Sequence, residues 1–154
     1  MICAEYAETA RAYHLLSDLE PRFVTRLLPI ARDALFNQDQ IIFLEGAKSN
    51  NLYLIIAGSV ALETMVDGRP VRVQTLHAGD ASGWSAFVES SHTHFQARAI
   101  TQVSCVAFPG GELRAACDRD PALGYAFVQQ LLALATERLD ALRMQMVQAC
   151  AARA

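Results

Sequence analysis

Between residues 35 and 108 the apolar residues fall into short runs that stop at turn residues: "QIIFLEGA", "NLYLIIAGSVALETMV", "VRVQTLHAGD", "FQARAI" and "QVSCVAF". Their period is two, and Gly46, Gly58, the pair Asp67-Gly68 and Gly79 lie between them. Short strands at this spacing predict an antiparallel barrel or sandwich. "MVDGRPVRV" is the clearest hairpin, because Asp-Gly supplies the positive φ values that a tight two-residue turn requires.

On both sides of this region the period is helical. Residues 4 to 31 carry Tyr13, Leu16, Leu19, Phe23, Leu27 and Ile30 at intervals of three or four, with Pro21 suited to begin a second helix and Pro29 close to its end. After "FPGGELRAACDRD" the helical pattern returns. Asp120 is a predicted N-cap, Pro121 takes the first helical position, and the helix runs to about residue 150. Leu132, Ala135, Leu139, Leu142, Met146 and Ala149 then form a seam of nearly three heptads. A helix of about 30 residues is roughly 45 Å long and outreaches a small barrel, so its far end needs a partner. A parallel homodimer is the expectation; a seam folded back on the chain's own barrel is the alternative.

At 154 residues, with 53% hydrophobic and 19% charged side chains, the chain fits one globular domain and excludes disorder. Its apolar runs stop short of the ~18 residues of a membrane span, and Glu5 and Glu8 replace the basic start of a secretory signal, so a soluble cytoplasmic protein is expected. Cys3, Cys105, Cys117 and Cys150 form no CxxC pair and read as buried reduced thiols. The net charge of −3 and the absence of a Lys/Arg block argue against nucleic-acid binding by this chain.

This layout resembles the cyclic-nucleotide-binding domain, in particular the sensory half of Crp/Fnr-type bacterial regulators. "IIFLEGA" is similar to the family's strand and turn ending in Glu-Gly, here Glu45 and Gly46; "LYLIIAGSVAL" to its apolar strand broken by one glycine, Gly58; and "LHAGDASGWSAF" to the Gly-Asp turn and glycine that open its phosphate-binding cassette. The resemblance implies a mainly β fold, a double-stranded β-helix or jelly roll, arranged as one domain over 1–154. Helices would occupy 1–34, the β-roll 35–108 and the C-terminal helices, ending in a long dimerisation helix, 109–152. It also implies a regulatory ligand-binding role without catalysis, ligand binding at the cassette being transmitted to the long helix. A basic recognition helix does not follow, so the chain reads either as the sensory half of a longer regulator or as a stand-alone domain.

In nucleotide-binding members of the family, the cassette glycine precedes a Glu that holds the ribose 2′-hydroxyl, and an Arg some ten residues later pairs with the phosphate. Here Gly83 matches the glycine, Trp84 stands where the Glu belongs, and no Lys or Arg lies between Gly83 and Ala97. A hydrogen-bonded charge partner contributes on the order of a few kcal/mol, so tight cAMP or cGMP binding by the usual mode is not expected. The expected ligand region is Gly83, Trp84, Ser85, Ala86, His92, Thr93, His94 and Arg98, taking an unidentified small ligand. The competing reading is a dimeric scaffold in which Trp84 plugs the cavity; a nucleotide-binding fragment of a transcription regulator is the other alternative.

His92 and His94 are the nearest substitutes for the arginine, and as imidazolium either could pair with an anion. Two histidines two apart on a strand also share a side as metal ligands do, but no suitably placed glutamate follows, so no metal is expected. His77, in a region where some family members hold haem, has no evident second ligand, so no cofactor is expected either. Arg98 lies nearest in sequence among the arginines, yet Ala97 and Ala99 beside it are the residues suited to the buried side, which would direct Arg98 outward.

Overall fold

The computed structural model describes residues 14–153. Helix α1 is His14–Ser17 and α2 is Pro21–Leu27, followed by a 3-10 turn at Leu28–Ile30. Pro21 begins α2 as expected, since a proline in the first turn forfeits no helical hydrogen bond. The expected helix over residues 4–13, and Tyr13 and Cys3, lie outside the described residues.

Eight strands follow: β1 Arg32–Phe36, β2 Ile41–Phe43, β3 Asn51–Ala57, β4 Val60–Val66, β5 Arg69–Leu76, β6 Ala81–Ser82, β7 Gln96–Ala99 and β8 Val103–Pro109. They make two four-stranded sheets, ordered β1-β8-β3-β6 and β2-β7-β4-β5, with every pairing antiparallel. This is the expected β-roll. The strands begin earlier than expected, at Arg32 rather than residue 35, and Arg32 pairs with Ala107. Arg32 and Asp33 are exposed polar residues on an edge strand, so no apolar alternation marks the start. The Asp67-Gly68 hairpin is as predicted: both residues have positive φ, 51° and 76°, and Val66 pairs with Arg69.

Two apolar layers explain why β3 and β8 read as nearly unbroken apolar runs, since each strand is covered on both faces. Leu52, Leu54, Val106 and Phe108 pack outward on Leu16, Phe23, Leu27, Leu113, Leu123 and Phe127 of the helical layer. Ile55, Val103 and Cys105 face inward with Leu62, Leu76, Ala97 and Ala99.

The chain leaves β8 into α3, Gly110–Arg119, and then α4, Pro121–Ala152. Asp120 caps α4 by accepting from the Leu123 N–H at 3.4 Å, and also pairs with Arg26 of α2. Within α4, Leu123, Phe127, Leu131 and Leu134 are buried against the roll. Of the described thiols, Cys105 and Cys117 are buried, and burial pushes them up to about 12 and about 11. Cys150 corrects the expectation: it is exposed, because it stands in the last turns of α4, where the described residues are exposed. Among the described residues, no helix is long and apolar enough to cross a membrane.

Candidate functional site

Strand β6 delivers the chain into Gly83, whose φ of 76° is left-handed, and from there into a one-turn 3-10 helix, Trp84–Phe87. A side chain at Gly83 would collide with the backbone, since a Cβ there would lie 2.6 Å from the Asn51 carbonyl oxygen. Glycine therefore lets the turn settle against β3, and this fixes where Trp84 and Ser85 emerge.

The return segment is pinned to the loop after β2. The Gly46 N–H donates to the Thr93 carbonyl at 2.8 Å, the Thr93 N–H donates to the Ala47 carbonyl at 2.9 Å, and the Ser49 N–H donates to Ser91 at 3.0 Å. Thr93 is buried, and its hydroxyl donates to the Leu44 carbonyl. Glu45 ties the same loop to β4 by accepting from the Thr64 hydroxyl at 2.9 Å and the Met65 N–H at 3.0 Å.

These elements enclose an inner pocket of about 60 Å³ lined by Phe43, Leu62, Ser82, Gly83, Trp84, Ser85, Thr93, His94, Phe95 and Arg138. Beside it, sharing Phe43 and Thr93, is an outer cleft of about 480 Å³ with Ile41, Lys48, Ser49, Asn51 and Tyr53 in its wall. Ser49 belongs to the cleft and Ser85 to the pocket, and their hydroxyl oxygens are 2.6 Å apart.

Of the residues expected from sequence, Gly83, Trp84, Ser85, Thr93 and His94 share this pocket. Ala86, His92 and Arg98 do not line it. Ala86 is buried and its carbonyl accepts from Arg114 at 2.6 Å. His92 is exposed and forms an isolated bridge with Lys48. Ala97 and Ala99 turn into the roll, so Arg98 projects to the opposite face. There its Nε and Nη2 each donate to Glu63 at 3.1 Å and its Nη1 donates to Asp39 at 3.0 Å. The Arg98 hydrogen bonds hold the buried Glu63 carboxyl below its ordinary value. Among the described residues, no cluster of His, Cys, Asp or Glu is arranged to hold a metal.

Arg138 is the residue that the sequence did not disclose. It projects from α4 over the Trp84 ring, 4.1 Å from its centroid, and donates to the Ala81 carbonyl. Burial pushes its guanidinium down to about 10, against an opposing attraction from Asp80. In "ATERLDAL" it reads as a surface charge beside the heptad seam, and nothing local links it to position 84.

A jelly roll with a turn-and-short-helix pocket, touched by a long C-terminal helix, is the architecture of a Crp-like regulatory domain. Residues 35–120, more than half of the chain, match the family described as cyclic nucleotide-binding domain. The chain belongs to that family.

Solved structures agree on the fold. A candidate cyclic nucleotide-binding protein from Geobacter metallireducens GS-15 is 26% identical, with a TM-score of 0.77 over 86% of this chain and 97% of that one. A cyclic nucleotide-binding domain from Methylobacillus flagellatus KT is 17% identical, with a TM-score of 0.85 over 94% of this chain and 84% of that one. The catabolite activator protein of Thermus thermophilus is 22% identical, with a TM-score of 0.71 over 89% of this chain and 63% of that one. Among curated proteins no match was found.

Proposed function

We propose that this chain is a regulatory ligand-binding domain, without catalysis of its own, whose inner pocket does not hold cAMP or cGMP in the family's usual manner. The observation that carries this reading is the pocket's lining: none of its residues is acidic, and its one guanidinium comes from α4 and stacks on Trp84. A ribose hydroxyl therefore has no carboxylate to bind. The pocket's ~60 Å³ is also far below the roughly 300 Å³ and more of a site for a drug-sized molecule.

Because α4 contributes a wall of the pocket, anything that displaces Arg138 acts directly on that helix. This is the differential contact that a population shift between two helix positions requires. The partner of α4 is a second copy of the chain. Leu132, Leu139 and Met146 of the predicted seam are 66%, 69% and 63% exposed in the single chain, while Ala135 and Leu142 beside them are half-buried. A filled pocket in a dimeric scaffold is the second reading, and the Trp84–Arg138 stack favours it.

The test is a titration with cAMP and cGMP, following Trp84 emission and heat release. The expected result is no saturable binding in the micromolar range. Micromolar saturation by either nucleotide would overturn the reading.

A further inference from the structure

We propose that the free edge of β2 and the outer cleft beside it dock an extended segment of a partner protein, one with apolar side chains at alternate positions and an acidic residue at its N-terminal end. The proposal is independent of what the inner pocket holds.

Strand β2 ends its sheet, ordered β2-β7-β4-β5, so β7 is its one strand partner among the described residues. The phase of that pairing decides which backbone groups are free. Gln40 accepts from the Ala99 N–H at 2.9 Å, and in an antiparallel ladder consecutive residues direct their backbone groups to opposite sides. The N–H and C=O of Ile41, opposite Arg98, therefore point away from β7.

The cleft follows this edge. Ile41, Ile42, Phe43 and Leu44 all line it. Side chains on a strand alternate between faces, so four residues in succession share one cleft only where it runs along the strand's edge. Past Leu44 the line continues through Ala47 to Ser49, whose other side is taken by residues 91–93: the Thr93 N–H donates to Ala47, the Ser49 N–H donates to Ser91, and Lys48 bridges His92. Edges that resist pairing carry charges or prolines, and residues 41–44 have neither; Ile41 and Leu44 are exposed instead. An apolar edge beside an apolar cleft suits strand addition, in which backbone bonds give affinity and pockets for alternate side chains give specificity. The cleft's volume of about 480 Å³ lies within the roughly 300–1,000 Å³ of sites that take a drug-sized molecule, which leaves room for such side chains.

Lys48 supplies the direction. It is exposed and pairs with no carboxylate among the described residues, because the nearby Glu45 uses both oxygens on Thr64 and Met65. Antiparallel addition, the stabler pairing, brings the N-terminal end of the incoming segment to Lys48, and an acid there complements the ammonium.

The experiment titrates the ¹⁵N-labelled full chain with three synthetic peptides of the pattern Glu-X-Thr-X-Thr-X, where X is Val, Leu or Phe, following the amide resonances of Ile41, Phe43 and Lys48. Saturable shifts with a Kd at or below about 1 mM are expected for at least one peptide. Methylating alternate backbone nitrogens of that peptide should abolish binding in one register and spare it in the other, since only one edge of a strand meets β2. Lys48→Glu changes an exposed side chain, so the fold should stand; it should weaken binding about fivefold and turn the preference toward the same peptide with Lys in place of Glu.

No saturation by any of the three up to about 5 mM, equal binding of the two methylated forms, or indifference to Lys48→Glu overturns the proposal. Shifts of Ile41 and Phe43 that depend on protein concentration without peptide would place a second copy on this edge, and would overturn it as well.

Discussion

The guanidinium of Arg138 lies 4.1 Å from the centre of the Trp84 ring, so the long helix and the pocket turn meet through a cation stacked on an aromatic face. Stacks of this kind contribute from about 0.5 kcal/mol when exposed to about 2 when desolvated. A double-mutant cycle of Trp84→Ala and Arg138→Ala, read by urea unfolding, should give a coupling energy of about 1–2 kcal/mol. Additive single effects would show that the two side chains are adjacent without being coupled.

The two glycines that open α3 differ in what they face. A Cβ on Gly110 would lie 2.0 Å from the Ala86 carbonyl oxygen, whereas one on Gly111 would meet nothing closer than Arg114 at 3.9 Å. Gly110→Ala must push the Trp84–Phe87 turn away from α3, and with it the oxygen that accepts from Arg114. A loss of about 2–3 kcal/mol is expected in chemical denaturation. Gly111→Ala should be neutral or stabilising by up to about 1 kcal/mol through helix propensity. Equal effects at the two positions would refute the close approach.

Glu63 predicts a pH dependence. The carboxyl is 4% exposed and is held below its ordinary 4.5, first by the Arg98 hydrogen bonds. A carboxyl with a depressed folded pKa stabilises the fold fully above its unfolded value, and that contribution is lost as pH falls through the folded value. The difference in unfolding free energy between wild type and Glu63→Gln should therefore shrink as pH is lowered from about 6 to about 3. A constant difference across that range would contradict the pairing. At neutral pH, Arg98→Ala should cost about 3 kcal/mol, because it strands a buried carboxylate.

Most of the roll was legible because its signals are local. A period of two, the Asp67-Gly68 turn and the proline at position 121 each act within a few residues of chain. The pocket was legible in the half built from one segment, Gly83 to Ser85, and there the glycine and the small residues already constrain the backbone. Thr93 was expected as a ligand contact; it lines the pocket, but its hydroxyl is spent on pinning two loops. Arg98 illustrates the opposite case, since alternation on β7 correctly directs it outward. Its partner Glu63 lies on β4 and could not be paired with it without the register Ala61↔Arg98 and Glu63↔Gln96. Arg138 was hidden for the same reason on a larger scale. A charged residue on a long helix looks solvated until the helix is laid across β6.

The face of α4 carrying Leu139 gives the last prediction. The 32 residues of α4 would extend about 48 Å, yet its buried residues are confined to Leu123, Phe127, Leu131 and Leu134. Beyond them Leu139 and Met146 of the seam are exposed in the single chain, an arrangement that a seam of nearly three heptads explains if a second copy covers it. Sedimentation should find a dimer at micromolar concentration, and Leu139→Glu combined with Met146→Glu should convert it to a monomer with unchanged helical circular dichroism. A monomeric wild type, or a dimer indifferent to both charges, would refute the seam. Arg138 and Leu139 are consecutive, about 100° apart around the helix, so one touches the pocket while the other points toward the seam. If the seam pairs two chains, a small rotation of α4 alters both contacts together. By linkage, whatever occupies the pocket must then change the dimerisation constant by the same factor by which dimerisation changes its affinity.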